Sequence, residues 1–152
     1  ILTHTEQGTA AMEQLELLRD HGVDLKHVVL SHLDRKSDVA YHRDVLQSGV
    51  CLEYDSAFRW KVDQVADNPT MQLLTALLAD FPDQLMLGMD AARRSYWKQY
   101  GGKPGLHFLY QTWVSQMQQV GISDQHIQRL FIDNPAQAYR FCPNKEDDTS
   151  CQ

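Results

Sequence analysis

The chain has 152 residues, roughly one domain's worth, with three cysteines, 22% charged and 43% apolar residues and a formal net charge of −6. The odd, low cysteine count excludes a disulfide-built scaffold and fits a reducing, cytoplasmic compartment, and the apolar share supports a packed core rather than disorder. The acidic balance argues against nucleic acid or an anionic membrane surface as partner, because both need a basic face, and the apolar runs fall far short of the roughly 20 residues that span a bilayer.

Residues 1–5 read as a strand already under way at Ile1, with no charged-then-apolar leader before it, so a further N-terminal portion is expected. Residues 8–21 follow as a helix, with Met12, Leu15 and Leu18 on one face and Gly22 at its end. Residues 27–32 form the second strand. Ser37 is placed to cap a helix over 38–48, which Gly49 ends. Residues 50–55 are the third strand, followed by a loop of about a dozen residues. Asn68-Pro69 opens the next helix, whose Met71, Leu74, Leu77 and Leu78 have core spacing. Residues 85–90 are the fourth strand. A long aromatic loop over 91–105 precedes a helix over 106–120. Ser123 and Asn134-Pro135 cap two short helices, and residues 142–152 form a flexible polar tail beyond a folded unit of 1–141.

Strands alternating with helices imply parallel βα units. Four units make half of an eight-unit barrel. No glycine-rich phosphate loop follows the first strand to support a doubly wound sheet instead. A half barrel leaves two edges unpaired and its strands' inner faces uncovered. It should therefore associate with a complementary segment or a second copy.

Three ligand-type residues end three different strands: His4, His32 and Asp90. In a parallel barrel all strand C-termini open onto one face, where barrel enzymes carry out chemistry. Imidazole and carboxylate together suit zinc, manganese, cobalt or iron, and such an ion lowers the pKa of bound water to about 7. Asp34 is either a support for His32 or a turn residue. Asp55 and Glu53 can face the same mouth. His21, His27, His42, His107 and His126 read as surface residues, and Cys51 as a small buried apolar group.

Thr3-His4-Thr5, Ser31-His32-Leu33-Asp34, residues 88–94 (Gly-Met-Asp-Ala-Ala-Arg-Arg) and the closing residues 134–141 together resemble the second half of the phosphotriesterase-like branch of the amidohydrolase superfamily. The resemblance implies a (β/α)8 TIM barrel of which this chain is strands five to eight. It also implies two divalent metals per complete barrel, zinc first among the candidates. His4 and His32 would then bind the more exposed metal. Asp90 would bind the buried one and take the proton of the bridging hydroxide that opens an ester, lactone or phosphotriester. The first-strand His-x-His pair and the bridging lysine or glutamate of that family do not lie in these residues, so an N-terminal half is the expected partner, with a homodimer as the other possibility. Ser56 stands where phosphotriesterases proper have a histidine, which favours a lactonase or esterase.

The run Arg94-Ser95-Tyr96-Trp97-Lys98-Gln99-Tyr100-Gly101-Gly102 resembles the group that hydrolyses phosphorylated sugar lactones. That likeness implies that Arg94, Tyr96 and Lys61 hold a substrate phosphate. Guanidinium and ammonium groups neutralise such a dianion well. The rival expectations are a phosphotriester or carboxylester hydrolase with a dispensable basic loop, and a half barrel without chemistry of its own.

Overall fold

The computed structural model describes residues 1–141; the expected polar tail at 142–152 lies outside the described residues. Four short parallel strands, β1 (Leu2–His4), β2 (Val29–Ser31), β3 (Cys51–Tyr54) and β4 (Leu85–Leu87), pair in chain order. Leu2 lies opposite Val29, Val29 opposite Cys51 and Leu52 opposite Leu85. Between them run α1 (Ala11–Asp20), α2 (Val39–Gln47) and α3 (Pro69–Leu77). After β4 come α4 (Val114–Gln119), α5 (Asp124–Gln128) and α6 (Asn134–Ala138), with wide π-helical turns at Leu109–Trp113 and Arg129–Asp133. This is the (β/α)4 half of a barrel.

Partners in register share a face of a parallel sheet, and successive residues alternate between faces. Thr3, Leu30, Leu52 and Leu85 therefore form one row, and His4, Ser31, Glu53 and Met86 another. On β3 the alternation is plain: Leu52 and Tyr54 are buried, Cys51 and Glu53 only partly so. The helix side holds the core, where Leu15, Leu46, Leu74, Leu77, Trp113 and Leu130 pack against Leu30, Leu52 and Leu85. The other face is the inner wall of the barrel, and at the β1 edge Leu2 is left 56% exposed.

The strands are shorter than the sequence implies, because their ends turn off into the loops that build the site. α1 starts at Ala11 rather than residue 8, after a tight turn at Glu6–Gly8 and a left-handed Ala10. Its buried residues are Ala11 and Leu15, and Met12 is exposed. Asp38, not Ser37, caps α2: its carboxylate accepts the Tyr41 N–H. Asn68 caps α3 as expected, accepting from Thr70 and Met71, and Ser123 caps α5. Asn134 makes no N-cap, because the helix runs through it. Its side-chain amide instead donates to the carbonyls of Pro82 and Leu85, tying α6 to the start of β4.

Candidate active site

All four strands deliver polar side chains to one cleft at their C-terminal ends, lined by Thr3, His4, Ser31, His32, Glu53, Asp55 and Asp90. His4 is the last residue of β1. His32, the residue after β2, has φ +68°, and Asp90, beyond β4, has φ +39°. L-residues adopt this left-handed region only against a cost of about 1–2 kcal/mol, and such strain concentrates at functional sites. Here it turns each side chain off the strand direction and into the cleft. Gly88 makes room for the cleft's floor: a Cβ there would come within 2.0 Å of Glu53 Oε1. Glu53 Oε2 accepts the Ser31 hydroxyl at 3.1 Å.

The two histidine rings meet edge-on, 4.7 Å between centroids. His4 is the open member, its side chain 57% exposed with Nε2 3.3 Å from Glu6. His32 is 13% exposed and presents Nδ1 to Asp55 Oδ2 at 2.5 Å. The contact lies outside hydrogen-bond geometry, so buried Nδ1 has no hydrogen-bond partner among the described residues. Burial, then Arg35, lowers the pKa of His32, which favours the neutral ring that metals bind. Burial, followed by the charges of Asp34, Glu53 and Asp90, pushes Asp55 up to about 7.

Asp90 shares the cleft with the histidines, but guanidinium groups hold its carboxylate. Oδ2 accepts from Arg59 at 2.8 Å and from Arg35 at 3.5 Å, and the Asp90 carbonyl accepts from Arg59 at 3.0 Å. Among the described residues no three His, Cys, Asp or Glu side chains close on one point as a finished metal cage. The donor set nonetheless fits a divalent cation. A buried imidazole with its Nδ1 turned to Asp55 shares the cleft with carboxylates, and the burial and crowding that disfavour the charge of Asp55 are what a cation would relieve. His4, His32, Asp55 and Asp90 are the residues able to contribute.

Asp34 lies in the tight turn Leu33–Arg35, as one of the two expectations had it, but its carboxylate does more than end a turn. It is fully buried and accepts from the backbone N–H groups of Asp55 (3.3 Å) and Ser56 (2.8 Å) and from the Thr70 hydroxyl (2.7 Å). It thus supports the β3 end, and Asp55 is the group beside His32. His42, expected at the surface, is also buried. Its Nε2 donates to the Lys36 carbonyl at 2.8 Å, so Nδ1 accepts from Tyr54 Oη at 2.6 Å. Cys51 is half-buried rather than fully so.

A second cleft, of about 420 Å3, opens beside the first and is basic: Arg59, Lys61, Arg93 and Lys103 line it with Phe58, Tyr96 and Pro104. Lys61 and Tyr96, expected together at a substrate phosphate, both line this cleft. Arg94 does not line this cleft; its guanidinium stacks over Tyr100 at 4.7 Å, and Arg93 takes the place expected for it. The Arg93-Arg94 pair was visible, but which member faces inward depends on the turn at Arg94–Tyr96. Arg59 and Lys103 had no sequence signal beyond their charge.

Known proteins give this geometry a context. The model of the phosphotriesterase family matches residues 1–139. The phosphotriesterase homology protein of Escherichia coli is 33% identical over 141 residues, covering 92% of this chain and 47% of that protein. A phospho-furanose lactonase of Mycoplasmopsis agalactiae is 30% identical, covering 93% and 41%. Among solved structures, a lactonase of Listeria monocytogenes superposes with a TM-score of 0.85 at 30% identity, over 93% of this chain and 44% of that one. The E. coli protein, solved with phosphate in its active site, superposes with a TM-score of 0.83 at 32% identity, over 92% and 48%. The chain spans just under half the length of these relatives. With the family model matched over nearly the whole chain and the half-barrel fold in common, the chain belongs to the phosphotriesterase family.

Proposed function

We propose that the chain supplies the C-terminal half of a metal-dependent hydrolase that opens a lactone or ester, a phosphorylated sugar lactone above all. The observation that carries the reading is a direct link between two clefts: Arg59, which lines the basic cleft with Lys61, Tyr96 and Arg93, bonds Asp90, which lines the other with His4 and His32. A hydrolase needs a place for the reacting carbonyl and a place for the rest of the substrate, and the second place here is cationic. The phospho-furanose lactonase relative adds support.

His4 and His32 would hold one of two divalent ions and Asp90 the other, with Asp55 orienting His32; bound there, the ions would supply a nucleophilic hydroxide at neutral pH and polarise the carbonyl. Asp90 would accept a proton through the Oδ2 that now faces Arg59. Lys61 and Arg93 would neutralise a phosphate dianion, Arg93 through its bidentate fork, while the Tyr96 ring walls the pocket. The remaining ligands would come from an N-terminal half, and the half barrel by itself would be catalytically silent.

The test is hydrolysis of phosphorylated and unphosphorylated lactones by this chain, alone and joined to the N-terminal half of a relative, before and after chelation. The expected result is chelator-sensitive turnover only by the joined barrel. Changing Lys61 to Ala should raise KM for the phosphorylated substrate about tenfold or more and leave the unphosphorylated one alone. Equal loss on both substrates removes the phosphate role, and chelator-resistant turnover removes the metal.

A further inference from the structure

Arg59 links the two clefts: it lines the basic one and bonds Asp90, which lines the other. Its loop follows β3, and its guanidinium lies beside the edge-on pair of the Phe58 ring (4.8 Å) and the Tyr96 ring (5.2 Å). Nη1 donates to the Tyr96 hydroxyl at 2.8 Å, on the basic side. Nη2 donates to Asp90 at both its carbonyl and Oδ2, on the acidic side. Nε is buried without a hydrogen-bond partner among the described residues, so the side chain retains unused donor capacity. Asp90, at φ +39°, thus has both its backbone carbonyl and its carboxylate tied to this one side chain.

We propose that Arg59 is a positioning residue shared between the clefts: an anion entering the basic cleft draws its guanidinium toward itself and off Asp90, so that substrate binding releases the carboxylate. This rests on the anion-binding role proposed above for the basic cleft.

The physical case is competition for one cation. With no anion present, Asp90 is the acid nearest Arg59. A phosphate dianion beside Lys61, Arg93 and Lys103 adds two negative charges next to the same guanidinium, and planar bidentate pairing with phosphate oxygens is among the strongest hydrogen-bonded contacts available. The aromatic rings let the guanidinium slide without losing its packing. Arg35, at 3.5 Å, keeps Asp90 partly compensated when Arg59 shifts, which lowers the cost of release. The coupling is reciprocal, because whatever weakens the Arg59–Asp90 pair must tighten the anion by the same factor.

That reciprocity gives a test that needs no turnover. Inorganic phosphate is titrated calorimetrically into the purified chain at fixed ionic strength, for the wild type, D90N, R59Q and the double variant. D90N should bind phosphate about fivefold or more tightly than wild type, and should give no such gain in the R59Q background. R59K serves as a second probe should R59Q unfold. It retains a charge without the fork, so phosphate binding should persist while the D90N gain shrinks.

An equal D90N gain in both backgrounds overturns sharing, since the effect is then only charge felt through space. Phosphate binding that requires Lys61 and Arg93 but is unaltered by D90N overturns sharing and leaves the anion cleft standing. Absence of phosphate binding in every variant overturns both.

Discussion

Two polar clusters occupy the ends of β2 and β3, a few residues apart, and they are built on opposite terms. Around Asp34 every group is answered: its carboxylate takes two backbone N–H groups and the Thr70 hydroxyl, which in turn accepts from the Trp60 indole. Around His32 the account is open. His32 Nδ1, Arg35 Nε and Arg59 Nε are buried with no hydrogen-bond partner among the described residues, and Asp55 is raised to about 7. A buried polar group normally costs stability unless paired, so a saturated cluster reads as structure and an unsaturated one as chemistry. The two are mechanically joined, because Asp34 holds the backbone N–H of Asp55 itself.

The comparison breaks most sharply at Asp34. Changing it to Ala strands two buried N–H groups and a hydroxyl, at about 1–3 kcal/mol for each unsatisfied group, so a loss of at least about 3 kcal/mol is expected in urea melts. A loss under 1 kcal/mol would mean that the loops relax freely and that the cluster is not structural. The opposite behaviour is expected of the open cluster. Zinc at one hundred times its dissociation constant should stabilise the chain by about 2.7 kcal/mol, a gain that chelation reverses and that H32A lacks. Zinc that leaves the melting temperature unmoved would remove His32 as a ligand of this chain.

Asp55 separates the clusters a step further. D55N should leave stability unchanged or improve it, since it removes a crowded buried charge, while zinc affinity falls about 10–100-fold as His32 loses its orienting carboxylate. A destabilised D55N variant with normal zinc affinity would move Asp55 into the structural cluster.

Much of the fold was legible because it rests on local signals. Gly49 and Asn68-Pro69 punctuate helices by backbone chemistry alone, and strands such as 27–32 are marked by their β-branched residues. The parallel order follows from the strand–helix alternation. The ligand-type residues were legible for the same reason: strand C-termini share a face, so His4, His32 and Asp90 had to approach one another. What the sequence could not give depends on side-chain direction across long separations. His42 reads as a polar helix residue until Tyr54, twelve positions on, is seen beneath it. Asp34 looks like a turn residue because its partners are the β3 end and Thr70, 36 positions away. Arg93 and Arg94 differ only in which side of a single turn they leave from, and adjacency in sequence carries no information on that.

The smallest expected effect lies at His42, and it tests the structural side of the comparison through pH. Burial lowers the His42 pKa below its ordinary 6.5, and the ring is held neutral between the Lys36 carbonyl and the Tyr54 hydroxyl. The unfolded chain takes up a proton as pH falls through 6.5, whereas the folded chain does not until its own lower pKa is reached. Stability should therefore be fully present above about 6.5 and decline on acidification, no more steeply than about 1.4 kcal/mol per pH unit, the limit for a single proton. The slope should flatten once the folded-state pKa is passed. H42Q retains a donor for the Lys36 carbonyl but has nothing to titrate, so its melts between pH 7 and 5 should lose this contribution to the slope. His32 also titrates low, and the H32A and H42Q slopes measured side by side apportion the effect. A wild-type slope that H32A removes and H42Q leaves intact would put the acid sensitivity in the open cluster, and His42 would then be a packing residue whose ring charges without consequence.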